Sequence, residues 1–276
     1  MKQLSSHVHS AHHHSILVYP VSFTQRMYTI VFGPLVIVAL VYLIAHLFPF
    51  INPPSGTTTS FTMILVAALE TWARIAIAFA CAILCAIPLA LFVTSSAKAE
   101  AVLLPLFDIM QSVPVLALFP VIIMFFINDF NSLNGAAIFI LFLSMLWNIV
   151  FAVVGGLKII PQDIVSAAHI FGIRGFAFFR RVLLPAIVPQ LVTGSILAVG
   201  QGWNLIIVAE VLHTYIPGGT AAQDLFGVGS ILVRAAADAQ IGVFIQTVFV
   251  MVVIIGFFNF FVWQKLLHYA QRFRFE

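Results

Sequence analysis

Residues 160–185 read IPQDIVSAAHIFGIRGFAFFRRVLLP and lie between two long apolar runs. The stretch holds Arg174, Arg180 and Arg181, with Lys158 just before it, so it is too charged to cross a bilayer. It is also too apolar for a plain linker. Ile160, Ile164, Ala167, Ala168 and Phe171 recur at helical spacing, with polar residues largely between them. The pattern predicts two short amphipathic helices with a break at Gly172–Gly175. An apolar-faced helix pair in an aqueous loop implies a soluble partner that docks there.

Composition sets the class. The chain has 276 residues, 62% of them hydrophobic and only 8% charged, against about 25% charged in a soluble domain. That balance predicts an all-α, multi-pass protein of the lipid bilayer, with no stretch left over for a catalytic domain. Net charge is +3 with the basic residues dispersed, so nothing points to nucleic acid. The chain has no G-x-x-x-x-G-K-[ST] phosphate loop, no H-E-x-x-H and no nucleophile elbow. It is therefore read as neither an ATPase nor another enzyme, and no cofactor is expected. Cys81 and Cys85 stand four apart in an apolar run, where small apolar packing is their expected role. Residues 1–25 form a polar tail. Its His7, His9, His12, His13 and His14 lack a carboxylate or cysteine to fix metal geometry.

A helical span needs about 20 apolar residues. Six are predicted, at 28–48, 61–93, 101–127, 135–157, 188–212 and 241–267, with residues 158–187 as the loop and 26–276 as one membrane domain. The third contains Pro105, Pro114 and Pro120, which predict kinks or a broken helix. With the N-terminus inside, Lys2, Arg26, Lys98, Lys158, Arg174, Arg180, Arg181, Lys265, Arg272 and Arg274 all fall on the cytoplasmic side, and only Arg74 and Arg234 fall elsewhere. The positive-inside rule thus favours both termini, and the 160–185 loop, in the cytoplasm.

The loop also carries a family resemblance. Ser166-Ala167-Ala168, then Gly172, then Val182-Leu183-Leu184-Pro185 resemble, with both gaps kept, the E-A-A, three residues, G, nine residues, I-x-L-P loop of ABC importer permeases. Ser166 stands where that pattern has Glu. Gln111 to Phe126 and the second span, with Arg74 and Ile87-Pro88-Leu89, are similar to permeases for nitrate, sulfonates and taurine; Ala78, Ala86 and Ala90 replace glycines usual there. Ala209 to Leu212 resembles the end of that group's fifth span. The resemblance covers about residues 60–270. It implies a type I importer architecture in the bacterial inner membrane. Ser166, Ala167, Ala168, His169, Phe171, Gly172, Arg174 and Pro185 would form a coupling helix seated on a cytoplasmic ATPase subunit. An external solute-binding protein and a second permease copy, identical or similar, are further implied partners. The implied solute is small and often anionic, and Arg74 and Arg234 as the external-side cations fit an anion.

Charges within spans tend to face an interior or an aqueous pathway. Glu70 and Arg74 lie four apart on one helix face, as an ion pair or as a polar element at the outer mouth. Glu210 ends the fifth span, either simply exposed to water or, by resemblance, in a structural or gating role. Trp147-Asn148 and Trp203-Asn204 form a repeated pair, and Gln201, Ser195 and Thr193 share the fifth span. Buried amides need partners across helices or in a hydrated lumen. That makes the fifth span either pore-lining or polar-packed. Asp108 and Gln111 sit in the third span, facing a vestibule or solvent. Asp163, Asp224 and Asp238 read as loop residues without a partner at useful spacing. An ion-coupled transporter or channel is the competing reading; it would need paired intramembrane carboxylates or a filter. A membrane-embedded enzyme would need convergent histidines or carboxylates within the spans, and His46 alone does not supply them.

Overall fold

Serines open three of the helices. The computed structural model describes residues 59–273, together with Ala39, Leu43 and Phe50. The tail 1–25, His46 and, apart from Ala39 and Leu43, the span expected at 28–48 lie outside the described residues. Helix α1 spans Phe61–Val93, and Ser60 Oγ accepts the Met63 N–H at 3.3 Å. Helix α2 spans Ala97–Ser112, with Ser96 Oγ accepting from Ala99 at 3.1 Å and Glu100 in the first turn. Helix α3 is Val115–Phe130 and α4 is Leu133–Lys158, the latter capped by Ser132 Oγ on the Gly135 N–H at 3.0 Å. Each cap satisfies a backbone donor that the helix itself leaves free. Helix α5 is Gln162–Ile170, α6 is Gly175–Glu210, α7 is Val228–Ala237 and α8 is Ile241–Phe273. Among the described residues there is no strand.

Helices α1, α4, α6 and α8 are each long and apolar enough to cross a membrane. The α1 span agrees with the sequence, and α4 extends the expected 135–157 by two residues at one end and one at the other. Two expectations change. The fifth span does not begin at 188. The second half of the 160–185 loop continues into it as one helix, through a π turn at Phe179–Leu183. At about 1.5 Å per residue this 36-residue rod is about 54 Å long, against about 30 Å of hydrocarbon, so its first turns project from the membrane with Arg180 and Arg181. The sixth span likewise runs on to Phe273. The short helix α7 escaped the sequence reading. It is too brief for a span and its apolar residues look like loop punctuation.

The third span is broken, at one of its three prolines. Helices α2 and α3 meet at 85°. Pro114 caps α3, and Val113 before it is extended, at φ −69°, ψ 120°. A residue before proline is pushed out of the helical region by the proline Cδ, which explains the corner. Pro105 and Pro120 are accommodated inside their helices. At its far end α3 closes on Asn131, left-handed at φ 48°, with the Ser132 N–H returning to the Phe126 carbonyl at 3.2 Å.

The core is the three-way seam of α1, α4 and α6. On α1 the buried residues Ala67, Ala78, Ala82, Ala86 and Ala90 form a stripe of small side chains, which lets α4 approach closely. Between α4 and α6 the two closest approaches fall at glycines of α6, and Gly156 of α4 makes a third against Ile187 and Gln190. A β-carbon at Gly194 would run into Ala152 Cβ and lie 3.1 Å from the Asn148 carbonyl oxygen. One at Gly202 would meet the terminal methyl of Met145. The pair α2–α3 is attached more loosely and turns most of its surface outward, including Val102, Ile109, Val121 and Phe125.

These contacts separate the two glycines. Gly194→Ala should destabilise the detergent-solubilised chain by about 1–3 kcal/mol, because the blocking atoms are a stub side chain and backbone. Gly202→Ala should cost less, since Met145 can swing aside. Denaturant melts of the two variants, with Ala152→Gly as the compensating change for the first, check the order.

Candidate functional site

The loop that decides the fold forms a compact knob. Pro161 precedes α5, and the helix ends as the Phe171 N–H reaches the Ala167 carbonyl at 3.0 Å and the Ile173 N–H the Ala168 carbonyl at 2.9 Å. Gly172 (φ 73°) and Gly175 (φ 59°) take left-handed turns on either side of Arg174, a conformation that disfavours other side chains. Val165 and Ala168 face the bundle, and His169 stacks on Phe178 at 5.5 Å. The inward face therefore differs from the one the spacing suggested. Ile160 and Ala168 are buried, but Ala167 and Phe171 point outward. Ile170 and Phe171 are 83% and 80% exposed and Phe176 is 75% exposed. Ser166, His169, Gly172 and Arg174 share this exposed surface, while Pro185 is half-buried in α6. Beside the knob, Lys158 at the end of α4 forms an ion pair with Glu100 at the start of α2.

Three residues of the α6 surface are polar and outward. Thr193, Gln201 and Asn204 are exposed at spacings that place them on one face, with Gly200 among them. Their neighbours Trp203 and Gly202 turn into the seam. The second Trp-Asn pair behaves alike: Trp147 is buried and Asn148 half-buried. Contacts fix the height of this stripe. Gly202 lies against Met145, and Trp147 of the same α4 turn packs on Phe107 of α2 at 5.3 Å. The α2–α3 corner thus sits at a similar depth, with exposed Gln111 donating to Asp108 at 3.0 Å and Ser112 to the Asp108 carbonyl at 2.7 Å. Polar side chains at that depth are stable against water or another protein, not against acyl chains.

At the end remote from the knob lies a buried charged knot. Arg74 and Glu210 are both 0% exposed and meet through Nη1 and Oε1 at 2.9 Å. The sequence paired Arg74 with Glu70, one turn away; its ion pair is instead with a carboxylate 136 residues along the chain. The water-exposed reading of Glu210 is likewise overturned. Thr71 Oγ1 donates to Glu210 Oε1 at 2.7 Å and accepts the Val228 N–H at 2.9 Å. The Gly229 N–H donates to Oε2 at 2.7 Å, so the carboxylate caps the start of α7. Arg74 Nε donates to Asn134 Oδ1 at 2.8 Å and Nη1 to the Phe226 carbonyl at 3.0 Å. The Phe50 ring lies 4.9 Å from its Cζ. Four elements, α1, α4, α6 and α7, are thereby tied at one point. A β-carbon at Gly227 would strike the Glu210 carboxylate, and one at Gly229 would strike the α6 backbone.

This knot removes Arg74 from the list of cations open to an anionic solute, because its charge is neutralised and enclosed. Glu70 is buried beside it at 6% exposure. Thr71, Asn134, Gly227 and Gly229 were missed in the sequence. The Gly227-x-Gly229 spacing before a short apolar run was the available signal for a carboxylate held on a helix start. Asp224, expected to be a lone loop residue, is bound to His213. Its Oδ1 lies 2.8 Å from Nδ1 and accepts the His213 N–H at 3.1 Å, closing the segment between α6 and α7. Among the described residues no group of three histidine, cysteine or acidic side chains could hold a metal.

Residues 78–272 match the family described as binding-protein-dependent transport system inner membrane component. The chain is 31% identical over 176 residues to the nitrate import permease protein NrtB of Leptolyngbya laminosa, covering 64% of this chain and 61% of that one. It is 30% identical over 145 residues to the bicarbonate transport system permease protein CmpB of Synechococcus elongatus, covering 52% and 51%. A probable ABC transporter permease protein of Brucella melitensis is 27% identical over 199 residues, 72% and 73% of the two chains. The chain thus spans about half to three fifths of the two import permeases it matches.

The knot makes a stability prediction. Arg74→Met should cost about 3–5 kcal/mol, because it leaves Glu210 buried without its countercharge. Adding Glu210→Gln should recover more than half of that loss. Denaturation of both variants in detergent measures it, and a double variant no better than the single would contradict the pairing.

Proposed function

The chain belongs to the binding-protein-dependent transport system inner-membrane-component family, and from that premise we propose that it is the membrane-spanning subunit of an ATP-driven importer. The observation that carries this reading is the exposed apolar surface of Ile170 and Phe171 at the end of the short helix α5 and of Phe176 in the first turn of α6. A soluble protein loses free energy by displaying such residues, and a docking partner removes them from water. That partner is a cytoplasmic ATPase subunit, received by Ser166, Ala167, His169, Phe171, Gly172 and Arg174, while Ala168 holds the knob to the bundle. The ATPases close on ATP and move the knob, and the bundle passes between two arrangements open to opposite sides.

The topology proposed is six spans with both termini inside. Four long helices, the broken α2–α3 pair and residues 28–48 make that number. Ten of the twelve Lys and Arg residues then lie on the cytoplasmic side, as the positive-inside rule requires, in a bacterial inner membrane. The exposed polar stripe on α6 and the α2–α3 corner need water or protein across from them, and a second copy of the chain or a similar partner supplies the other wall. Gln111, Asn148, Gln201 and Asn204 are the pathway residues. Trp147 and Trp203 brace them from behind, while Glu70, Arg74 and Glu210 hold the outer end together. An external solute-binding protein delivers a small solute there. The names of the two import permeases, for nitrate and bicarbonate, favour a small anion. Amide and hydroxyl groups, rather than Arg74, would contact it.

Phe171→Asp with Phe176→Asp should weaken ATPase association at least about tenfold, the scale of losing two buried aromatics, with membrane insertion unchanged. Co-purification with the ATPase, against a membrane-fraction control, reads this. Gln201→Leu with Asn204→Leu should lower ATP-dependent uptake in vesicles while ATPase association persists. If the chain alone moved solute down an ion gradient, the importer reading would fail.

A further inference from the structure

The last turns of α8 carry a cluster that the importer reading leaves unused. Gln264, Lys265, His268, Tyr269 and Arg272 line an open groove of about 340 Å3, walled mostly by hydrocarbon stems. At about 100° per residue these five fall within an arc of about 140°. Ala270 lies outside that arc and is buried, and this end of α8 packs on α6. The groove therefore opens away from α6. Among the described residues no carboxylate stands within ion-pair distance of Lys265, His268 or Arg272.

The height of the groove is set by its neighbours. Trp263, edge-on to Phe79 at 6.1 Å, lies directly before it, and Tyr269 pairs with Phe273 at 5.3 Å. Tryptophan and tyrosine at the end of an apolar helix mark the headgroup layer. Before them, the rings of Phe257 and Phe261 lie 4.7 Å apart, tilted by 31°, and both are exposed on the helix surface. One end of the surface thus suits acyl chains and the other an anion. Lys265 and Arg272 supply fixed positive charge, and Tyr269 and Gln264 supply neutral hydrogen-bond donors.

We propose that this groove binds the phosphate of an anionic phospholipid, with the acyl chains lying along the exposed phenylalanines before it. A free phosphate in water would gain the same charges but none of the hydrocarbon wall, and the groove is too open to exclude solvent from it. Convergence on one arc distinguishes the cluster from cations that merely fix topology, which need only be on one side of the membrane. The proposal does not depend on which solute is carried or on ATPase docking.

Native mass spectrometry of the full-length chain, titrated with phosphatidylglycerol or phosphatidylcholine, tests it. Lys265→Gln/His268→Gln/Arg272→Gln should lower phosphatidylglycerol affinity about thirtyfold and leave phosphatidylcholine unchanged, an effect of the size expected for two interfacial cations. Arg180→Gln/Arg181→Gln, which removes two cations outside the groove, should change it less than twofold. Arg272→Lys should retain binding, which guards against a loss caused by misfolding. Equal losses in the triple and control variants, or no loss in either, would overturn the proposal. So would binding of inorganic phosphate that depends on the three residues in a chain showing no preference for phosphatidylglycerol.

Discussion

A charge buried in a membrane protein must be answered where it stands. Arg74 and Glu210 answer each other, and Thr71, Asn134, the Phe226 carbonyl and the Gly229 N–H take up further positions, leaving Arg74 Nη2 without a hydrogen-bond partner among the described residues. The arrangement demands that α1, α4, α6 and α7 be in register with one another to within a hydrogen bond's length. A buried ion pair is a poor source of net stability, since desolvation offsets most of its attraction. Its strength is in what it forbids. Sliding any one of the four elements strands a charge in a low-dielectric interior, so the knot specifies one packing among several apolar alternatives. Gly227 and Gly229 are part of the same specification, because a side chain at either would occupy the space of the carboxylate or of α6.

Away from the α1–α4–α6 seam the bundle is looser. The α1–α4–α6 seam is built from small residues and is close-packed through mid-membrane. Helix α2 hangs on it by a few contacts, chiefly Phe107 on Trp147 and the Glu100–Lys158 pair, while α3 packs on α4 through Phe126, whose ring lies 5.5 Å from that of Phe139. Much of their surface is apolar and outward, and their corner is polar. Such a segment has one stable environment only when something else covers it. The broken span and the α6 stripe present compatible demands, which supports the second wall proposed above.

Much of this was legible in the sequence, and the rest has identifiable reasons for being hidden. Hydrophobic length gave α1 and α4 almost to the residue, because a span's ends are where apolar composition stops. It misplaced the start of α6, since charge suggests an aqueous segment but says nothing about whether the helix is interrupted. Arg180 and Arg181 are charged and still helical. Three prolines announced a break; which of them makes it depends on Val113 being free to extend, a tertiary matter. The Glu70–Arg74 spacing was a sound local inference that lost to a long-range one, as one-turn pairs contribute only a few tenths of a kcal/mol and a buried partner contributes more. Glu210 looked like a helix end in water because its cap, α7, is too short to be seen as an element.

The continuity of α6 has a mechanical corollary. One unbroken rod carries Phe176 near one tip and Glu210 at the other, and it is gripped between them where Gly194 and Gly202 press on α4. A stiff rod clasped near its middle is a lever with a fulcrum. A sideways push of a few ångströms on the knob must appear at the far tip with opposite sign, where it loads the one contact that cannot stretch gradually. Displacement of the knob would then be felt at the far tip as the making or breaking of a single ion pair.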